Sequence, residues 1–383
     1  MPREPEPSWC DGIRSLRADE FDQLAHLFDN VFWEGLIPRY PHMYIPENAG
    51  NLRVQVVDGQ VVSHIGTLRR TASLFGCTVQ VASLGGVATL EEHRGKGYAT
   101  ALLADNIRCC REDGVDFIIV SGYRKMYHRF GCRYVGRDRS YGLSADRAGD
   151  FDDPGLQIAE AQEEDLPSLA ALYRQEPVRF FRPPSDFRNA LVGYIMNRPA
   201  NVLTIRERGA LRGYVILQEA RERDEGRVQV LEFAGDRKSV VGILGKLVRS
   251  YGLAALDLHV LGWDTLTQDL LERRELEGKP ATGSGTVLLV SFNQLMDRMR
   301  PYFAERVGED EAQSLAFRER GDEFSFYYGG DRVVAGDRGT ATQLIFGTPN
   351  RSEEPLLASG GRAGEVLREI FPIPALWYGL NYV

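Results

Sequence analysis

Apolar residues recur along this chain in two periods, and the alternation between them repeats. After a strand-like run at 12–17, Phe21, Leu24, Leu27, Phe28 and Val31 fall at helical spacing within 19–33. Strand-like runs follow at 52–57, 61–75 and 77–90, with Asp58-Gly59 as a hairpin signal between the first two. A helix over 97–113 puts Ala99, Leu103, Ile107 and Cys110 on one face, and Phe117-Ile118-Ile119-Val120 reads as a buried strand. Asp152-Asp153-Pro154-Gly155 has the composition of a linker.

Beyond that linker the order returns. Strand-like 156–160 precedes helix-like 163–173, then strands at 202–207, 212–220 and 228–233, a helix at 239–251 and a buried strand at 256–260. Strand, helix, strands, helix, strand, twice over, predicts a tandem duplication. Glycine-rich 278–285 leads into a third block with a strand at 286–290, a helix at 292–307, two short strands at 323–328 and 332–334, and helical 342–346 and 365–370. The chain ends Trp377-Tyr378-Gly379-Leu380-Asn381-Tyr382-Val383. So aromatic an end is unlike a frayed tail, and it predicts a docked one. Phe180-Phe181-Arg182-Pro183-Pro184 reads as a loop staple, with a substrate-cleft wall as the alternative.

At 383 residues the chain exceeds one compact core, and the three blocks predict domains at 1–150, 151–285 and 286–383. The fold class expected is α/β with mixed sheets. A net charge of −8 argues against nucleic acid and anionic membranes as partners and weakly favours cationic substrates. Five scattered cysteines without metal-ligand spacing fit a reducing compartment and predict no metal. The N-terminus lacks the apolar core of a signal peptide, and no apolar run is long enough to span a bilayer, so a cytoplasmic protein is expected.

The chemistry concentrates at 81–100, VASLGGVATLEEHRGKGYAT. An apolar strand ends in a polar turn, then Arg94-Gly95-Lys96-Gly97-Tyr98-Ala99-Thr100 opens a helix. Glycines there let the main chain approach a ligand, and the first N–H groups of a helix lack internal acceptors, so such a junction is a candidate pyrophosphate cradle. It is not a Walker loop, and it lacks the dinucleotide Gly-x-Gly-x-x-Gly spacing. Upstream, Gly85-Gly86 predicts a bulge that frees main-chain groups of Val87, Ala88 and Thr89 from the strand ladder. In the second block the matching turn reads Phe233-Ala234-Gly235-Asp236-Arg237-Lys238, with one glycine and no such cradle.

Arg94-Gly95-Lys96-Gly97-Tyr98-Ala99 matches the Arg/Gln-x-x-Gly-x-Gly/Ala signature, and the first block resembles the GNAT superfamily of acyl-CoA-dependent N-acyltransferases. Tyr127-His128-Arg129-Phe130-Gly131-Cys132 resembles that family's later Tyr-x-x-x-Gly-Phe element, with Cys132 where an aromatic is usual. The whole chain is similar to the enhanced intracellular survival (Eis) subgroup. The resemblance implies an active GNAT domain, a degenerate second one and a C-terminal domain of sterol-carrier-protein type, whose terminal carboxylate reaches the first active site.

It further implies an acetyl-CoA-dependent N-acetyltransferase acting on an amine: polyamine-like, aminoglycoside-like or a lysine side chain. It also implies a homo-oligomer, in the subgroup often a hexamer. Cofactor contacts would come from Val87, Ala88, Thr89, Arg94, Gly95, Lys96, Gly97, Tyr98, Ala99 and Thr100, joined by Gly122 and Tyr123 past the next strand. Tyr127 is the candidate acid for the leaving thiolate, since a phenol of pKa about 10 is protonated at neutral pH. By resemblance the base is the terminal carboxylate of Val383, with His64 and His128 as alternatives. No cysteine or serine stands out as an acyl carrier, which favours direct attack by the amine. The competing readings are a non-catalytic acyl-CoA-binding or regulatory module, and a lipid carrier built on the third block.

Overall fold

The computed structural model describes residues 12–122, 124–192, 194–195, 198–219, 224–283 and 285–382. The first part runs β1 (Gly12–Ser15), α1 (Phe21–Val31), β2 (Leu52–Val57), β3 (Gln60–Leu74), β4 (Cys77–Thr89), α2 (Tyr98–Glu112), β5 (Phe117–Val120), α3 (Lys125–Arg129) and β6 (Asp138–Ser144). The second runs β7 (Leu156–Glu160), α4 (Leu166–Tyr173), β8 (Val178–Phe180), α5 (Pro184–Val192), β9 (Tyr194–Ile195), β10 (Arg198–Glu207), β11 (Ala210–Gln218), β12 (Arg227–Gly235), α6 (Arg237–Gly242), α7 (Leu244–Ser250), β13 (Ala255–Val260), α8 (Thr265–Glu272) and β14 (Lys279–Ala281). The third runs β15 (Thr286–Leu289), α9 (Phe292–Arg298), α10 (Arg300–Val307), α11 (Glu309–Ser314), β16 (Ala316–Arg320), β17 (Glu323–Tyr328), β18 (Asp331–Ala335), α12 (Arg338–Phe346), α13 (Glu354–Ala358) and α14 (Gly361–Ile370). The mixed α/β class expected from the alternation is the one observed.

The first sheet has the order β1-β2-β3-β4-β5-β15, and the second, read from its far edge, β7-β10-β11-β12-β13-β6-β14. Strand for strand the two repeat each other through six positions, antiparallel except for one parallel pair, β4–β5 in one and β12–β13 in the other. The sixth strands are exchanged. β6 pairs with β13 from Ser144↔Ala255 to Arg139↔Val260, while β15 pairs with β5 from Thr286↔Val120 to Leu289↔Phe117. The strand expected to open the third block therefore closes the first sheet. Its four residues are all buried: β5 pairs one side, Arg133 bridges Val287 on the other, and Val287 and Leu289 face one core while Leu288 faces another.

Other expectations shift for local reasons. The buried stripe of α2 is Leu102, Leu103, Asn106, Cys109 and Cys110, so Ile107 sits at its margin. The helix expected over 239–251 is broken at Ile243, and Gly245 lies so close to Ala148 that a Cβ would strike its carbonyl. Phe180 is not part of a loop staple: β8 pairs with the far end of β3, Ala72↔Phe180 to Leu74↔Val178. The third sheet, β16-β17-β18, and its helices share one core with the first sheet, in which Val81, Phe117 and Leu289 meet Phe292, Phe303, Phe324 and Phe326. Tyr378, Leu376 and Leu380 at the chain end are buried, as the aromatic tail predicts.

Candidate active site

Beyond Leu84↔Val120 the parallel pair β4–β5 ends and β4 continues alone to Thr89. On its other side, Gly85 faces Gly66 and Ala88 faces His64, so Gly86 and Val87 together oppose Ile65. That extra residue is the bulge expected from Gly85-Gly86. Gly86 has φ +61°, and a Cβ on it would overlap Tyr44 Oη and press on Phe28 and His64. Its carbonyl accepts a 2.6 Å hydrogen bond at His64 Nδ1, so that nitrogen carries the hydrogen. His64 is fully buried and desolvation lowers its pKa to about 4. Sealed and bracing the bulge, it serves poorly as a base, which removes one of the two histidine alternatives.

The chain then turns through a short helical segment, Glu91–His93, into Gly97, which takes φ +84° and caps α2 without a side chain. Gly95 has φ +78°, and nothing lies within 4 Å of where a Cβ would stand on either glycine. Among the described residues, the main-chain N–H groups of 95–100 have no acceptor; the first α2 N–H to find one is Ala101, on Gly97. Six unpaired donors at the start of a fifteen-residue helix, whose dipole adds partial positive charge, form an anion cradle.

They open on a cleft of about 660 Å³ lined by Val87, Thr89, Arg94, Gly95, Gly97, Tyr98, Ala99 and Thr100. Of the residues expected at the cofactor, these eight are brought together. Lys96 is exposed beside His93, 3.4 Å from its Nδ1, and Ala88 turns its side chain into the core. Val31, Phe32, His93 and Arg124 complete the wall and were not singled out from sequence. Arg124 comes within 3.5 Å of the Val87 carbonyl, and with Arg94 it gives the cleft wall two cationic side chains.

Tyr127 follows Arg124 by one turn of α3. It is buried, and its ring lies against Gly122, where a Cβ would stand 2.9 Å from Cε2. Burial raises its pKa above the ordinary phenol value, against the pull of Arg124. Its hydroxyl has no hydrogen-bond partner among the described residues. His128 Nδ1 lies 3.1 Å from the Cys132 carbonyl, which ties down the second alternative base.

The tail comes close. Tyr378 is fully buried, its hydroxyl has no partner among the described residues, and burial, with a smaller push from Tyr382, raises its pKa. Tyr382 meets Tyr378 edge-to-face at 5.3 Å and packs with the core holding Tyr40 and Tyr44. Tyr123 and Val383, both singled out from sequence, lie outside the described residues.

The matching helix start in the second sheet differs. Asp236 caps α6 and accepts from Ser239 N at 2.8 Å, so a carboxylate stands where the first helix keeps free donors. Arg237 is tied to Glu176 and Asp264. An anion would meet negative charge there.

Residues 12–135 match the acetyltransferase (GNAT) domain family. The chain carries the domain of an N-acetyltransferase, a family that takes an acetyl-CoA-type co-substrate and acts on amines. No curated protein matches the sequence. Among solved structures, a GCN5-related N-acetyltransferase from Anabaena variabilis ATCC 29413 superposes with TM-score 0.67 at 15% identity, covering 95% of this chain and 98% of that one. One from Kribbella flavida gives 0.66 at 14%, covering 97% and 99%. Eis1 from Mycobacterium abscessus gives 0.64 at 15%, covering 97% of this chain and all of that one. At these identities the likeness is one of fold, and it extends over nearly the whole length. Among the described residues, no helix of the acetyltransferase chain is long and apolar enough to cross a membrane.

Proposed function

We propose that this chain acetylates a primary amine with acetyl-CoA, by direct attack of the amine on the thioester. The observation that carries the reading is the row of unpaired amides at 95–100 facing the cleft, since free main-chain donors at a helix start fit a pyrophosphate. The cleft residues fit the group: open glycines at 95 and 97, two cations, and the side of β4 that parts from β5 after Leu84. Acetyl-CoA held there supplies an activated acyl carbon and a thiol leaving group.

The chain's own residues then have distinct tasks. Amides of 95–100 hold phosphate oxygens, with Arg94 and Lys96 adding charge. The parted edge of β4 aligns the acyl arm, and a β4 N–H faces the developing oxyanion. Tyr127 Oη, kept protonated by burial, donates to the thiolate. The terminal carboxylate of Val383 accepts or orients the amine. In architecture we read a catalytic GNAT domain (1–150), a degenerate one (151–285) and a C-terminal domain of sterol-carrier-protein type (286–383), with β6 and β15 exchanged across those boundaries. The repeated strand order and the acid-capped second helix support that reading.

Calorimetry with coenzyme A, followed by thiol release from acetyl-CoA over a panel of polyamines, aminoglycosides and lysine peptides, tests the proposal. Saturable uptake with amine-dependent thiol release is expected. Absence of coenzyme A binding overturns it.

A further inference from the structure

The two sheets part in the same place. β12 and β13 pair from Arg227↔Ala255 to Val230↔Leu258 and then separate, as β4 and β5 do after Leu84↔Val120. β12 carries its own bulge there: Ile216 faces Glu232 and Leu217 faces Val230, leaving Leu231 over. In the first sheet the parted strands open on the cleft. In the second, Trp377 from the tail fills the gap. Its Nε1 donates to the Leu231 carbonyl at 2.6 Å, and its indole stacks on His259 of β13 with centroids 4.0 Å apart and planes at 16°.

The ring under the indole is held by groups outside the tail. His259 Nε2 is held by Asp138 at 2.8 Å, whose other oxygen accepts from Gly262 N at 2.8 Å. About 60 Å³ remains beside the indole, room for roughly two waters. The residues after Trp377 are clamped as well. A Cβ on Gly379 would overlap Glu232 Oε2, Leu380 N donates to that oxygen at 3.1 Å, and Asn381 bridges Arg182 at 2.6 Å and Asp186 at 3.0 Å. The clamped stretch contains Tyr378, which meets Tyr382 edge-to-face at 5.3 Å, and Tyr382 packs on the core that also carries Val31, Phe32 and Tyr98 of the cleft wall.

We propose that the parted strands of the second sheet form a receptor for the chain's own tail, with Trp377 as the anchor. Seating that indole positions residues 378–382, and through Tyr382 the core behind the cleft wall, for acyl transfer. The second part of the proposal rests on the acyltransferase reading; the first part does not. Trp377 is a positioning residue, since it touches neither the cleft nor Tyr127.

The test compares the full-length protein with Trp377→Ala and Trp377→Phe, each with and without 3-methylindole, the excised side chain. Carboxypeptidase trimming of the C-terminus reads docking without reference to activity. Trp377→Ala is expected to be trimmed faster, and 3-methylindole to slow trimming again. Its kcat should fall by about tenfold or more with KM for acetyl-CoA little changed, and 3-methylindole should restore most of the loss. Trp377→Phe keeps a ring but loses the indole N–H, so it should fall between, and it carries the comparison should the alanine variant not fold. Wild-type trimming rates in both variants overturn the receptor. Faster trimming with unchanged kcat overturns the positioning. A wild-type protein without activity on any amine sinks the acyltransferase reading and leaves the docking result standing.

Discussion

Arg182 and Glu232 face each other through two hydrogen bonds of 2.6 Å, buried between the two sheets and closed over by the tail. The guanidinium also lies 3.7 Å above the Tyr173 ring and donates its Nε to Asn381, while Tyr214 donates to Glu232 at 2.7 Å. So buried a pair contributes less net stability than its Coulomb attraction, but losing one member strands the other.

Glu232→Gln should therefore cost about 3–5 kcal/mol in chemical denaturation, because Arg182 keeps a full charge without its counter-ion. An Arg182→Met, Glu232→Leu double variant should cost less than Glu232→Gln alone. Equal or larger damage from the double variant would mean that the tail contacts, rather than the charge pair, dominate.

Gly97→Ala separates the cradle from the fold. At φ +84° an alanine costs about 1–2 kcal/mol of backbone strain, and no protein atom lies within 4 Å to clash with it. Its methyl would stand before the free amides of 95–100. KM for acetyl-CoA should rise about tenfold, equivalent to ~1.4 kcal/mol of lost binding, with kcat much less affected. A fall in kcat at unchanged KM would place the effect outside co-substrate binding.

These two sites differ in how far they could be read from the chain. The cradle is local: Gly95, Gly97 and the bulge glycine Gly86 lie within twelve residues, and each answers a backbone requirement that leaves a mark in the sequence. The repeated strand order was legible for the same reason, since hydrophobic period is a local property. Arg182, Glu232 and Asn381 meet across separations of 50 and 199 residues, and nothing near any of them announces the others. The exchange of β6 and β15 was equally hidden, because a four-residue buried strand fits either sheet until its neighbours are known. Arg124 escaped because it follows β5 without a motif of its own.

His64 links the bulge to acid stability. Its pKa is lowered from 6.5 to about 4 by burial, so the unfolded chain binds a proton between those values that the native protein does not. Stability is then full above about pH 6.5 and falls as pH drops toward 4, by up to ~3 kcal/mol from this group. His64→Gln, which keeps a donor for the Gly86 carbonyl and cannot titrate, should flatten that part of the pH–stability curve. An unchanged acid limb in urea titrations from pH 7 to 4.5 would assign it to other groups.

Tyr127 offers the sharpest separation of chemistry from structure. Its hydroxyl has no partner among the described residues, so Tyr127→Phe removes no hydrogen bond to them and should leave thermal stability nearly unchanged. If Oη supplies the thiolate proton, kcat should fall by about 10²-fold with KM for acetyl-CoA preserved. Because burial raises this phenol above 10, the wild-type rate should hold through pH 9, losing its acid only at more alkaline pH. Adding one glycine after Val383 probes the other partner: it moves the carboxylate by one residue while leaving Trp377 and Asn381 seated. Loss of kcat in both variants, with coenzyme A binding intact, is the pattern of a proton donor and an amine acceptor working at one carbonyl. Full activity in both would leave the cleft as a binding site only.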